Sequence, residues 1–248
     1  MIEFHYTYYI MSLGYVLTGN FLNLIVITNL LVVHEFGHFL IAKLLNFNVS
    51  KIIIYPFGGI TKIEDLVNRD INEELLVATS GVIFQYFFYL LVINLNYLGF
   101  VRDKVLDIYI IYNRGLILFN LLPIYPLDGY KIFNLIFSKY FSFNLSNYLS
   151  FIVSIVGILI YIFVYSINYN YSYIMAISVI IVYNYKYLFN IKYLYNRFLL
   201  ERILFSFNYS KLKIISNYKS MYKNRRHIFK INNEYLSEDK YLKKYYFK

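Results

Sequence analysis

Long apolar runs separated by short polar breaks fill the first three quarters of the 248-residue chain. Residues 6–17 form a short apolar segment, marginal as a membrane crossing, with Gly19-Asn20 offering a turn after it. Residues 21–45 and 75–100 form two runs long enough to cross, the later one with Ser80-Gly81 as a small-residue packing site. Between them, residues 46–74 mix Lys51, Lys62 and Arg69 with five acids and enclose an apolar, broken stretch at 52–60. That stretch is too short to cross and predicts a strand or loop folded against the bundle, an ordinary surface turn being the alternative. After the polar Arg102-Asp103-Lys104 turn, a fourth run covers residues 105–137, interrupted by Asn120, Pro123, Pro126 and Asp128-Gly129. Fifth and sixth runs occupy 149–167 and 171–188, joined by a polar turn around Asn168 and Asn170. The pattern predicts an all-α polytopic membrane protein with about six transmembrane helices, a short broken strand or loop, and a basic cytosolic tail. The membrane-embedded part is expected over 1–190 and the tail over 191–248.

Composition strengthens this picture. The chain is 59% hydrophobic and 15% charged, with a mean hydropathy of +0.50, which excludes an ordinary water-soluble globule. A basic n-region and an A-x-A-like cleavage site are not evident, so the first apolar segment is expected to stay as a membrane helix. Cysteine is absent, which rules out disulfides, Cys-bound zinc and a thiol nucleophile. The basic excess is confined to the end: residues 186–248 hold 15 Lys/Arg against 4 Asp/Glu, and residues 1–185 hold 9 against 10. With six spans, residues 46–74, the segment near Lys131 and Lys139, and the tail share one side. Their Lys and Arg put both termini in the cytosol, leaving Arg102, Lys104 and Arg114 opposite. The tail cluster Lys223, Arg225 and Arg226 suits anionic headgroups of the lipid bilayer or a docked substrate, and nucleic acid is not an expected partner. His227 reads as a tail residue and not as a ligand.

The chemistry is concentrated at Val33-His34-Glu35-Phe36-Gly37-His38, an H-E-x-x-H pentad inside the second run. Two histidines four apart lie one turn apart on one helix face, so both imidazoles can reach one metal ion. Glu35 beside them can take a proton from an attacking water. A single histidine on an apolar face is more often a hydrogen-bonded core residue, but three ionisable groups in one membrane helix mark a function. A catalytic metal with an open position needs a third protein ligand. Asp128 is the candidate: it is the only acid between Asp107 and the tail, and ligation offsets the cost of burying its carboxylate. Pro123 and Pro126 break the helix before it, and a helix N-cap in a Pro/Gly turn is the plainer alternative.

The pentad at 34–38 together with Asn120-Leu121-Leu122-Pro123-Ile124-Tyr125-Pro126-Leu127-Asp128-Gly129 resembles the site-2 protease family of intramembrane zinc metalloproteases. Pro56-Phe57-Gly58-Gly59 and Arg197-Phe198-Leu199-Leu200-Glu201-Arg202 look most like its sporulation branch, which cleaves the membrane-associated precursor of sigma-K. The resemblance implies one Zn2+ per chain held by His34, His38 and Asp128, with Glu35 as general base. It implies that Asn120 holds the substrate or the developing oxyanion, an ordinary helix–helix hydrogen bond being the alternative. It further implies a membrane-associated pro-sigma factor as substrate, inhibitory membrane partners, and a place in the mother-cell membrane around the forespore. The chain departs from the branch in having Val82 after Gly81 and Tyr130 after Gly129. Its tail is short for the nucleotide-sensing CBS domain of that branch, which suggests a truncated or degenerate module. Two rivals remain: a housekeeping site-2 protease acting on stress-signalling anchors or signal-peptide remnants, and a membrane metal transporter. The transporter would string polar residues along a path, whereas here they read as one cluster.

Overall fold

The computed structural model describes residues 2–56, 58–165, 171–209, 211–231 and 234–245. It falls into two compact units, one of Met1–Asp65 with Leu76–Leu121, the other of Leu66–Leu75 with Leu122–Lys248.

The first unit starts with strand β1 (Ile2–Phe4) and helix α1 (Tyr6–Leu17). Twelve residues give about 18 Å of helix, well short of the ~30 Å hydrocarbon core, so α1 does not cross a bilayer by itself. Helix α2 (Phe21–Leu44) carries the pentad and ends at Asn46, whose φ of 57° is the left-handed conformation that asparagine accepts at a helix end. Strands β2 (Val49–Tyr55) and β3 (Gly58–Ile63) then form an antiparallel pair, with β1 parallel to β2 on its other side. The broken stretch at 52–60 is therefore a strand pair, as the strand expectation had it, and no surface turn. Ile52 and Ile54 of β2 bury against Tyr8 of α1 and Ile27 and Leu31 of α2. The neighbouring stripe of α2, through Val26 and Leu30, meets Val92 of α3 (Ile71–Tyr97) and Tyr109 of α4 (Asp103–Leu121). Backbones of α2 and α3 touch at Gly37, where a Cβ would lie 2.8 Å from both Phe84 Cβ and the Ser80 carbonyl oxygen. Only glycine permits that approach.

The second unit contains α5 (Asp128–Tyr140), α6 (Phe143–Tyr165) and α7 (Tyr171–Leu204). The fourth apolar run is thus two helices, α4 and α5, divided where Pro123 and Pro126 stand. A polar seam runs down the otherwise apolar α6. Ser146 meets Ser138 of α5 at 2.9 Å, Asn147 and Ser150 take the Asn134 amide at 3.0 and 3.1 Å, and Ser154 donates to Asn184 of α7 at 2.7 Å. Polar residues are not confined to one cluster, contrary to the sequence reading, yet in this seam they bond to one another. Among the described residues, α2, α3 and Phe143–Val164 of α6 are long and apolar enough to cross a membrane. Helix α4 is broken in that respect by Asp103, Lys104, Asp107 and Arg114. The expected turn at Asn168 and Asn170 lies outside the described residues.

The tail folds as a second small sheet. Strand β4 (Leu212–Ile215) runs parallel to β5 (Arg226–Ile231), which pairs antiparallel with β6 (Glu234–Ser237), and α8 (Glu238–Tyr245) follows. Phe229 of β5 stacks on Tyr241 of α8 at 3.7 Å, and both share a core with Phe143 of α6 and Phe198 and Leu199 of α7. Buried Arg202 donates to the carbonyls of Tyr222 at 2.8 Å, Lys223 at 2.7 Å and Arg225 at 3.0 Å, which ties the loop before β5 to the end of α7. Lys223 is buried as well, and pairs with Glu74 at 2.6 Å. The basic cluster expected at the headgroups therefore gives up Lys223 to the interior and leaves Arg226 exposed.

Candidate metal centre and active site

On α2 the i, i+4 spacing brings the imidazoles of His34 and His38 together, both buried, with their Nε2 atoms 3.2 Å apart. Each ring is oriented through its other nitrogen. His38 Nδ1 lies 2.7 Å from the Val77 carbonyl oxygen, which only accepts, so Nδ1 carries the proton. His34 Nδ1 lies 3.0 Å from Gln85 Oε1. The Gln85 amide nitrogen is committed to Asn113, donating to Oδ1 at 3.0 Å and facing the backbone oxygen at 3.4 Å, so its oxygen accepts from His34. On both rings Nε2 is then the acceptor nitrogen, and the two face each other inside a buried site. Two lone pairs at this distance repel, and a shared cation turns that repulsion into two bonds. Imidazoles held through Nδ1–H by a carbonyl or an amide are what a zinc site requires. The residues present fit the metal.

Helix α3 shapes the same place from the other side. A Cβ on Gly81 would lie 2.3 Å from His38 Nε2 and 2.8 Å from His34 Nε2, so any side chain at 81 would occupy the position of the shared cation. The small-residue packing expected at Ser80-Gly81 is thus observed, and it serves the histidines directly.

Glu35 is buried on the same helix turn. Thr61 of β3 has its hydroxyl 2.8 Å from Glu35 Oε2, and a Cβ on Gly59 of β3 would lie 2.2 Å from Glu35 Cγ. The sheet therefore sits against this carboxylate and orients it by one hydrogen bond. Asn120, near the end of α4, has its amide nitrogen 3.5 Å from His34 Nε2, at the outer limit of a hydrogen bond. Asp128, in the second unit, opens α5. It is 5% exposed, with Lys131 at 2.9 Å from Oδ1. Leu127, not Asp128, occupies the N-cap position, so the plainer N-cap alternative does not hold. A carboxylate in the first turn of a helix is favoured by the helix dipole.

Sequence reasoning missed Gln85, Asn113, Thr61 and Gly59. A signal existed for one of them: Gln85 is the only glutamine in the chain and sits in the middle of an apolar run, where an amide is costly without a partner. Thr61 and Gly59 carried none, because their role depends on the register of β3 against α2.

Comparison with known proteins agrees with this geometry. Residues 22–103 match the model of Peptidase family M50. The chain is 30% identical over 135 residues to Stage IV sporulation protein FB of Bacillus subtilis, covering 54% of this chain and 46% of that protein. It is 25% identical over 118 residues to a zinc metalloprotease of Methanocaldococcus jannaschii, covering 45% of this chain and 33% of that protein. The matched part is therefore less than half the length of either curated relative. Among solved structures, the site-2 protease from Methanocaldococcus jannaschii shares the fold, with a TM-score of 0.59 at 19% identity over 75% of this chain and 89% of that one. The stretch matched by the M50 model, residues 22–103, is the one that carries the histidine pair, and over that stretch the chain is similar to M50 peptidases.

Proposed function

We propose that the chain is an intramembrane zinc metalloendopeptidase that hydrolyses a peptide bond of a membrane-associated protein. His34, His38 and Asp128 hold one zinc ion, and Asp128 is assigned because it is a buried carboxylate at the start of a helix broken from its neighbour by two prolines. When bound, zinc supplies a Lewis acid and lowers the pKa of a water to about 7. Glu35, aimed by Thr61, takes that water's proton and hands it to the leaving amine. Asn120 holds the substrate carbonyl or donates to the oxygen as it gains charge. The single observation that carries this reading is the pair of Nε2 atoms at 3.2 Å with both Nδ1 atoms held as donors.

A scissile amide in a helix is hydrogen-bonded and hidden, so the substrate must unwind before it is cut. Among the described residues, β3 has no strand on its outer edge, and it touches Glu35 through Gly59 and Thr61. An extended substrate added there as a strand would lie beside the general base. Deleting residues 56–59 is expected to spare zinc binding and abolish cleavage.

The matched relative Stage IV sporulation protein FB supports a sporulation sigma-factor precursor, pro-sigma-K, as the substrate, and with it the mother-cell membrane around the forespore. The distribution of Lys and Arg supports a cytosolic side that carries residues 46–74, Lys131, Lys139 and the tail. The exposed Lys and Arg among the described residues of the tail, Arg226 among them, face the anionic leaflet. The test is co-expression with a membrane-associated pro-sigma-K-like protein. The wild-type chain should shorten it, and Glu35→Gln should bind zinc yet leave it intact. Equal cleavage by the variant would overturn the assignment, and metal movement with no proteolysis would favour a transporter.

A further inference from the structure

We propose that Ser154 and Asn184 form a clip that sets the position of Asp128, which makes them positioning residues for the metal centre. The proposal rests on the assignment of Asp128 as a ligand made above. The connection from α4 to α5 contains Pro123 and Pro126, which bring no N–H, and its remaining peptide groups must find partners among apolar helices. Local turns satisfy two of them: the N–H groups of Ile124 and Leu127 donate to the Leu122 and Ile124 carbonyls, each at 2.8 Å. Tyr125 is different, because both of its peptide groups are taken by side chains of other helices. Its N–H donates to Ser154 Oγ of α6 at 2.9 Å, and its carbonyl accepts from Asn184 Nδ2 of α7 at 2.8 Å. The Ser154 hydroxyl proton goes to Asn184 Oδ1 at 2.7 Å and closes the ring. Asn184 Nδ2 also donates to the Ile180 carbonyl of its own helix at 2.9 Å, which fixes which way the amide faces. Together the two side chains do for residue 125 what a neighbouring strand would do, and they hold it at both ends of its polar backbone.

Packing acts at the same place. Gly157, one turn beyond Ser154, receives fully buried Ile124: a Cβ there would lie 3.0 Å from Ile124 Cγ1. The Tyr125 ring lies 4.4 Å from that of Tyr187 and 5.3 Å from that of Tyr130. Asp128 follows three residues later, at the start of α5, so fixing the backbone of 124–125 fixes where its carboxylate begins. Ser154 and Asn184 are buried polar groups in apolar helices, take no part in the chemistry, and would be replaced at lower cost by alanine or leucine if only packing mattered.

The test is the zinc affinity of the full chain in detergent, measured by competition with a chromophoric chelator. The variants are Ser154→Ala, Ser154→Thr, Asn184→Leu, Asp128→Ala and the Asn184→Leu/Asp128→Ala double variant. Displacing an outer support of a ligand weakens metal binding about 10–100-fold, so Ser154→Ala and Asn184→Leu should fall in that range. Ser154→Thr keeps the hydroxyl and should stay within about threefold of wild type. With Asp128 already removed, Asn184→Leu should cost no further affinity, because the clip then has no ligand to place. Wild-type affinity in both clip variants, with loss in Asp128→Ala, overturns the clip alone. Wild-type affinity in Asp128→Ala overturns the ligand assignment beneath it. Equal losses with and without Asp128 mean general weakening of the fold and also overturn the clip. If Asn184→Leu fails to fold, Ser154→Ala, which opens the same ring, replaces it in the comparison with and without Asp128.

Discussion

Replacing Gln85 by leucine leaves an apolar branched side chain, one atom shorter, and removes the hydrogen bonds to His34 and Asn113. The Nδ1–H of His34 loses its acceptor at 3.0 Å, and Asn113 loses a donor at 3.0 Å, both in a buried site. Each lost bond at such a site costs about 1–3 kcal/mol. His34 can lower that cost by moving its proton to Nε2, the nitrogen that faces His38, and in that tautomer it is no longer a ligand. Zinc affinity is therefore expected to fall about 10–100-fold, which is about 1.4–2.7 kcal/mol. Gln85→Glu supplies a stronger acceptor to the same Nδ1–H and loses only the donor to Asn113, so it should bind zinc more tightly than Gln85→Leu. The measurement is a chelator competition on the purified chain, with circular dichroism to show that both variants keep their helices. Equal zinc affinity in wild type and Gln85→Leu would refute the assignment of the His34 tautomer, and with it the reason given for Nε2 as the acceptor nitrogen of that ring.

Gly81→Ala places a methyl group 2.3 Å from His38 Nε2, so it should abolish zinc binding while the flanking helices stay formed; zinc content after purification reads this directly. Thr61→Val removes the hydrogen bond at 2.8 Å that aims Glu35 and leaves the histidines alone, so zinc should remain and turnover should drop about tenfold in a cleavage assay. In the tail, burial holds the His227 imidazole below its usual pKa against the pull of Glu238, and His227 Nε2 already accepts from the Tyr222 N–H at 2.9 Å. Glu238 is itself held below the usual carboxylate range: burial acts upward and is outweighed by bonds from His227 and by Arg202. The unfolded tail thus takes up a proton before the folded one does. Stability is complete above about pH 6.5, the ordinary histidine value, and is lost as pH falls below it. Amide protection in β5 and α8, corrected for the intrinsic pH dependence of exchange, should fall between pH 7.5 and 5.5, and His227→Gln should flatten that response.

What could be read from residue order was local in nature. The histidine pair was legible because a single helix turn creates it, and Asp128 because one acid in a long apolar run demands a partner. The split of the fourth run followed from Pro123 and Pro126, whose missing N–H groups end helices wherever they fall. The stretch at 52–60 read as a strand or loop against the bundle because it is apolar, broken and too short to cross. What failed to show was set by pairing across distance. The parallel match of β1 with β2 joins Ile2–Phe4 to residues fifty positions on, and three residues carry too little pattern to announce it. The tail sheet has the same difficulty, since β4 and β5 pair in parallel across a loop. Lys223 looked like part of an exposed basic patch because charge says nothing about which lysine meets Glu74 in the interior. Gln85 and Asn113 are polar groups that sequence alone marks as costly without saying which atom they serve.

The most direct test of the zinc centre is X-ray absorption at the zinc edge on the purified, metal-loaded chain. Two imidazole nitrogens at about 2.0–2.1 Å together with oxygen ligands, one imidazole fewer in His38→Ala and a changed oxygen shell in Asp128→Ala, are the result predicted. A zinc environment without imidazole scattering, or one unchanged by either substitution, would contradict it.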